Sequence, residues 1–407
     1  MLKKVISVCL MIFVGLFTVQ TLNNNKVLAN SEVKPNEYHR KYISAMDTDF
    51  SVEIDVNDPK ANNYLEQLKR SEEIITNISI LTDNFEGYDV LGEPIKNVYY
   101  INNNINKKIE IDKVLYDILE FSLEVQVLTE GYFNISIGKI IDKWKDLIDP
   151  LANNNYTEEQ FNKIVEEIKN IPIIDNGIVL TKENNKYYVL IKEGVKIDLG
   201  GIAKGYALDE VENYFKEEGL VSYKIKGSAS SLKYGYNLNN DKGYTKVGVS
   251  NPFGGIYGYI NVANKTVTTS GDTEQNKEFF GRLYHHIISP ITRMPEIDNR
   301  IAIIVTDSAA LGDALSTAIF SMDKKKLEAW GKQNKLTEYI IIKSDKKIIN
   351  NLKENEFVNS DGSTNIIKAS IFDWLIISGV IIVFGVGIYY ISKNNKSKLS
   401  NKEDSEE

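Results

Sequence analysis

The chain has 407 residues, 43% of them hydrophobic and 26% charged, ordinary values for a globular protein of one or two domains. A formal net charge of −8 argues against bulk electrostatic binding to nucleic acid. The single cysteine, Cys9, lies in an N-terminal apolar run, so the rest of the chain has no disulfide framework, thiolate metal site or cysteine nucleophile.

Residues 1–4 are a basic start, 5–22 an apolar core and Val27-Leu28-Ala29 a small-residue cleavage pattern, so residues 1–29 read as a secretory signal peptide. Residues 30–41 are a polar leader. Residues 42–56 alternate as a strand, and 60–81 carry Leu65, Leu68, Ile74, Ile75 and Ile78 at helical spacing. A second helix is expected over 112–129. Thr157-Glu158-Glu159-Gln160 is a capping box that opens a third, running to Lys169. The runs 171–180 and 186–197 predict a hairpin closed by 182–185. A helix over 202–218 stops at Gly219. Strands are expected at 222–225, 244–249, 258–262, 283–288, 300–305 and 339–342, with a helix at 309–321. Strands and helices mix without regular βαβ alternation, which predicts an α+β domain over 42–350.

Residues 351–370 read as a polar tether, and 371–392 as a transmembrane helix built on the uncharged run 374–391. Trp374, Tyr389 and Tyr390 lie near its ends, and Lys393, Lys396 and Lys398 follow in a tail, 393–407. The positive-inside rule puts that tail in the cytoplasm and the domain outside. The expected placement is therefore a single-pass protein of the cell membrane, with lipid around its span.

Three segments carry chemistry. In Lys196-Ile197-Asp198-Leu199-Gly200-Gly201-Ile202-Ala203-Lys204 an aliphatic run ends in an aspartate. A double glycine follows, and then a lysine in the first turn of a helix. Bare amides, a positive dipole and a cation suit phosphate; a Gly-Gly turn is also ordinary strand-to-helix chemistry. In Gly312-Asp313-Ala314-Leu315-Ser316-Thr317, Asp313 and Thr317 share a helix face. They can hold a hard cation such as Mg²⁺, or Asp313 can serve the helix dipole while Thr317 bonds a preceding carbonyl. The third segment is Thr268-Thr269-Ser270-Gly271-Asp272 followed by Tyr284-His285-His286-Ile287-Ile288-Ser289-Pro290. On a strand His285 and His286 point to opposite faces, so one suits a base or ligand contact and the other packing.

These segments, taken in chain order with Gly312–Thr317 last and with Ala45-Met46-Asp47-Thr48 and Gly131-Tyr132-Phe133-Asn134-Ile135-Ser136-Ile137-Gly138, resemble the ApbE family of FAD:protein FMN transferases over about residues 42–342. The resemblance implies a single mixed domain related to the T-fold. It implies an exported enzyme that cleaves the FAD pyrophosphate with Mg²⁺, releases AMP and joins FMN to a Thr or Ser of an exported acceptor protein. Asp313 and Thr317, with the carbonyl of Gly201, are then the Mg²⁺ ligands. Asp198 and Lys204 contact FAD, the lysine near the pyrophosphate. Thr269, Ser270 and His285 are further nucleotide contacts, Met46 and Tyr132 flank the flavin, and His286 or Asp272 is the catalytic base. Three positions depart from the family pattern: Ser230 and Ser289 stand where carboxylates are usual, and Arg293 where a glycine is. Two rival functions share this site, hydrolysis of FAD to FMN and AMP, and FAD binding without catalysis. Asp361-Gly362-Ser363-Thr364 partly matches the acceptor motif of such enzymes, which would allow self-flavinylation.

Overall fold

A computed structural model describes residues 37–149, 155–273, 275–334, 338–353 and 356–359. The signal peptide, the apolar run 374–391 and the partial acceptor motif at 361–364 lie outside the described residues. Among the described residues, no helix is long and apolar enough to cross a membrane.

The chain opens with a hairpin, β1 (Tyr38–Ala45) and β2 (Thr48–Asp55), where the sequence predicts one strand over 42–56. Met46 and Asp47 both adopt positive φ, 53° and 54°, the backbone of a two-residue type I′ turn. Strand β1 also takes in residues assigned to the leader. Helix α1 (Tyr64–Thr82) follows, then a loop, the short helix α2 (Val98–Asn102), β3 (Ile109–Ile111) and α3 (Lys113–Leu128), whose Asp112 caps its N-terminus.

Helix α4 (Gly138–Ile148) has no counterpart in the sequence prediction, although Ile140, Trp144, Leu147 and Ile148 form its buried stripe. Helix α5 (Glu158–Lys169) starts at the expected capping box: Thr157 Oγ1 accepts from Gln160 N at 3.2 Å, and Gln160 Oε1 from Thr157 N at 2.9 Å. Strands β4 (Ile178–Glu183) and β5 (Lys186–Ile191) make the expected hairpin, shorter than predicted, turning at Asn184 and Asn185.

Helix α6 (Ala203–Glu217) ends at Gly219, whose φ of +77° lets Leu220 N reach back to the Phe215 carbonyl at 2.9 Å. Then come β6 (Tyr223–Gly227), β7 (Ser231–Tyr234), β8 (Thr245–Ser250), β9 (Ile256–Val262), β10 (Lys265–Gly271), β11 (Asn276–Phe279), β12 (Arg282–His285) and β13 (Asn299–Thr306). Helices α7 (Ala309–Phe320) and α8 (Lys324–Gln333) precede β14 (Glu338–Lys343), β15 (Ile348–Asn350) and β16 (Phe357–Asn359).

The organising element is an eight-stranded sheet in the order β1-β2-β6-β7-β10-β13-β14-β15, antiparallel at every pairing. It bears out the α+β expectation. Its centre is buried on both faces. Ala302, Ile304 and Ile341 point into a core shared with Leu68, Ile75, Leu208 and Leu315 of the helices. Ile301, Ile303 and Ile342 point the other way, into a core closed by Val247, Val249, Ile260 and Phe357 of the small sheet β16-β9-β8. A third cluster joins α4 and α5 to the hairpin β11–β12 through Trp144, Phe161, Phe279 and Tyr284.

The fold therefore runs past the expected boundary at 350. Phe357 pairs with Ile260, and its ring occupies the space left by the missing side chain of Gly258. Lys265 Nζ bridges Glu338 at 3.1 Å and Glu356 at 3.2 Å, pinning this last strand.

Helices α6 and α7 pack closely because Gly205 faces Ala309; a Cβ at 205 would overlap the Ala309 carbonyl and lie 2.7 Å from Ala310 N. Gly205→Ala is expected to destabilise the protein by about 3 kcal/mol, since backbone on a packed helix cannot yield cheaply. Thermal unfolding checks this; an unchanged Tm would refute the close contact.

Candidate active site

Two carboxylates bind these helices end to end. Asp209, in the second turn of α6, accepts from the first amides of α7: Ala309 N at 2.7 Å and Ala310 N at 2.9 Å. It also accepts from Ser308 Oγ at 2.7 Å and Lys233 Nζ at 3.0 Å. Asp313, in the second turn of α7, returns the arrangement by accepting from Gly205 N, in the first turn of α6, at 2.7 Å. Each helix thus caps the other, and their positive ends sit side by side. Lys233, 1% exposed, is held by Asp209, Glu212 and the Asp307 carbonyl.

The second oxygen of Asp313 accepts from Ser231 Oγ at 2.6 Å. Burial pushes the Asp313 carboxyl up to about 6, against the Lys204 charge, the Ser231 hydroxyl and the Gly205 amide, which all favour the ionised form. Lys204 is half-buried in the first turn of α6, close enough to act electrostatically on Asp313, and makes no ion pair among the described residues. Thr317 Oγ1 donates to the Asp313 carbonyl at 3.1 Å. A Cβ on Gly201 would lie 3.6 Å from that hydroxyl oxygen and 3.2 Å from the Phe133 ring. The structure therefore brings Gly201, Lys204, Asp313 and Thr317 into one region. The side-chain donors there, a carboxylate and a hydroxyl, are both oxygen, and each Asp313 oxygen keeps a second lone pair. A hard cation fits such a set and would relieve the burial of an otherwise weakly neutralised carboxylate. No cluster of three His, Cys, Asp or Glu side chains suited to a metal occurs among the described residues.

Asp198 closes the preceding turn. Its Oδ1 accepts from Gly200 N at 2.8 Å, and Lys145 Nζ lies 3.5 Å from Oδ2. The Thr269–Ser270 segment is the end of β10 that faces α7: Thr269 N donates to the Ser230 carbonyl at 2.7 Å. Ser270 Oγ lies 2.8 Å from Ser316 Oγ and 3.4 Å from Thr317 Oγ1. Ser231 and Ser316 escaped the sequence reading, since a lone serine gives no signal before the fold brings it to a partner. Phe133 lies beside the Gly-Gly turn, its ring next to the space a Gly201 side chain would fill. Tyr132 lies half-buried with Lys326 Nζ 5.6 Å from its ring centre. Met46 sits in the β1–β2 turn, its amide donating to Ser79 Oγ at 3.1 Å.

One assignment needs correction. His285 is 1% exposed; its Nδ1 accepts from Ile287 N at 3.2 Å and its Nε2 bonds the Glu296 carbonyl. Both ring nitrogens are used, so His285 is a structural residue and not a nucleotide contact. Asp272 is held by one oxygen: Arg300 binds its Oδ2 across the end of the β10–β13 ladder, its buried Oδ1 has no hydrogen-bond partner among the described residues, and burial raises its carboxyl against the Arg300 pairing. His286, half-buried just beyond β12, is the less buried of the pair.

The departures at 289 and 293 have a local account. Buried Ser289 donates its amide to the Met294 carbonyl at 2.9 Å and takes Arg293 N on its own carbonyl at 2.8 Å. Arg293 adopts φ +58°, a conformation glycine takes without strain. It is held there by Nε donating to the Ile171 carbonyl at 3.1 Å and by Trp144 Nε1 donating to its carbonyl at 2.8 Å. Ser230 Oγ makes only a long contact, 3.4 Å, to the Gly227 carbonyl.

Residues 46–341 match the model of the ApbE family. The chain is 27% identical over 247 residues to a FAD:protein FMN transferase of Buchnera aphidicola, spanning 59% of this chain and 70% of that one. It is 26% identical over 236 residues to a FAD:protein FMN transferase of Vibrio cholerae, spanning 56% and 66%. Its fold is similar to the crystal structure of the ApbE protein from Thermotoga maritima, with a TM-score of 0.64 and 24% identity over 77% of this chain and 97% of that one. It is also similar to the flavin transferase ApbE from Vibrio cholerae, with a TM-score of 0.61 and 18% identity over 78% and 97%.

Burial lowers the His285 pKa to about 4, against about 6.5 in an unfolded chain. The unfolded state therefore binds the proton first, and stability that is complete above about pH 6.5 is lost as pH falls toward 4. Between pH 7 and pH 4.5 this one group is expected to remove about 2–3 kcal/mol. Urea unfolding of wild type and His285→Gln at the two pH values isolates it: wild type should lose that much more than the variant, and equal losses would contradict the buried neutral ring.

Proposed function

The chain belongs to the ApbE family, and on that premise we propose that it transfers the FMN half of FAD to a Ser or Thr hydroxyl of an acceptor protein and releases AMP. The observation that carries this reading is the convergence, at two helix starts locked by mutual caps, of Lys204 with the oxygen donors of Asp313 and Thr317, the lysine making no ion pair among the described residues. With the first amides of α7 taken by Asp209 and that of Gly205 by Asp313, the lysine cation binds the pyrophosphate. Asp313, Thr317 and the Gly201 carbonyl would hold Mg²⁺, which when bound neutralises phosphate charge and eases departure of AMP.

The residues of the chain supply the rest. Lys204 holds the pyrophosphate, and the turn capped by Asp198 presents the Gly200–Gly201 backbone to it. Ser270, fixed by Ser316, orders the β10 side of the site. The acceptor oxygen attacks the FMN phosphorus as the bond from that phosphorus to the bridging oxygen breaks. A phosphoester forms, AMP leaves with the bridging oxygen, and the hydroxyl proton passes to His286. The signal-like start and the apolar run 374–391 support a membrane-held enzyme acting on exported acceptors.

The test incubates the full chain with FAD, Mg²⁺ and the membrane fraction of host cells, reading AMP by chromatography and protein-bound FMN by in-gel fluorescence. Both products are expected, and both should disappear with EDTA. Asp313→Ala should lower turnover at least about a thousandfold, the several kcal/mol a cation contributes to such a transition state. AMP without labelled protein would point to hydrolysis. FAD binding with neither product would sink the enzyme reading.

A further inference from the structure

The loop between α1 and α2, residues 83–97, holds four apolar side chains in water. Phe85 and Tyr88 are exposed, Val90 is 102% exposed and Leu91 83%. Four exposed apolar side chains within residues 85–91 are a local excess of the kind found at interaction surfaces. The loop is held in shape by its own polar groups. Asp83 Oδ1 accepts from Phe85 N at 2.7 Å and Glu86 N at 3.1 Å, and Asp89 Oδ1 from Leu91 N at 2.8 Å and Glu93 N at 2.9 Å. Asn97 Nδ2 ties its two ends together, donating to the Ile80 carbonyl at 3.1 Å and the Glu86 carbonyl at 2.7 Å. A surface shaped in advance in this way binds without the cost of ordering a loop.

The loop is also joined to the catalytic turn. Asn102 Nδ2 donates to Asn84 Oδ1 at 2.7 Å and to the Ile197 carbonyl at 2.9 Å, while Asn102 Oδ1 accepts from Ile197 N at 2.7 Å. Ile197 immediately precedes Asp198. A cavity of about 250 Å³ lies at this junction, lined in part by Asn84, Asn102, Lys139 and Lys196.

We infer that loop 83–97 is the docking surface for the acceptor polypeptide, with Val90 and Leu91 binding apolar side chains near the hydroxyl that receives FMN. The inference rests on the transferase reading and names where its protein substrate is held. Transfer to a protein needs a contact beside the reacting group, and the base of this loop is bonded through Asn84 and Asn102 to Ile197, the residue before Asp198. Charge favours a polypeptide over a bilayer: the loop carries four carboxylates, Asp83, Glu86, Asp89 and Glu93, against one cation, Lys96, and an anionic membrane surface repels such a balance.

The test compares the full chain with its V90S/L91S variant, using the same membrane fraction as acceptor source. Both side chains are exposed, so the variant keeps its core. At limiting acceptor the rate of FMN labelling is expected to fall about tenfold or more, as loss of two anchor side chains does, and excess acceptor should restore it. FAD binding, read by flavin fluorescence, should be unchanged. Unchanged labelling overturns the inference, and a parallel loss of FAD binding overturns it by placing the loop in the nucleotide site. Loss of binding to phosphatidylglycerol vesicles, with detergent-solubilised acceptor labelled normally, overturns it in favour of the bilayer. If the unaltered chain labels nothing while still binding FAD, the transferase reading fails and takes the inference with it.

Discussion

Mutual capping of α6 and α7 is the constraint on which the site depends. A helix normally satisfies its first amides with a residue just before it. Here Asp209 supplies two bonds to the start of α7, and Asp313 supplies one to the start of α6. Gly205 lets the helices approach until these reciprocal bonds can form. Three consequences follow together. The two positive helix ends point into one region, Lys204 joins them, and Asp313 is held against the Ser231 hydroxyl of the central sheet. Rotating either helix would break both caps, so the phosphate-facing groups and the oxygen donors are positioned as one unit.

Much of the scaffold was legible in local patterns. The helices at 64–82, 113–128, 158–169, 203–217 and 309–320 announce themselves through apolar spacing, a capping box and a glycine stop, all effects confined to one segment. The β1–β2 turn was not legible because Met46 and Asp47 take positive φ without a glycine, leaving no punctuation to divide the strand. Helix α4 carries a clear apolar stripe, but it starts on the glycine that ends the preceding motif, a residue that disfavours a helix and hides its start. In the site, Lys204, Asp313, Thr317 and the Gly-Gly turn were legible by residue type and spacing. The bond between Asp313 and Gly205 spans more than one hundred residues, and no local pattern predicts it.

The histidine pair shows the same limit. Strand alternation separates the roles of His285 and His286 but does not say which ring faces the core. Packing against Phe320 and two main-chain bonds decide it for His285. The departures at 289 and 293 likewise resolve into turn geometry. Ser289 preserves the main-chain bonds of its turn. The left-handed backbone that favours glycine is held at Arg293 by a side-chain bond to one neighbour and a main-chain bond from another.

The placement of β16 has a mechanical meaning. Whatever the chain does beyond Asn359, a pull on it enters the fold through a three-residue strand paired to β9 and seated by Phe357 against Gly258. That strand belongs to the core on one face of the central sheet, whereas α7 and its capped partner belong to the core on the other. Load arriving from the C-terminus is therefore taken up by the β9–β16 ladder and the Lys265 bridge before it reaches the helices that carry the site.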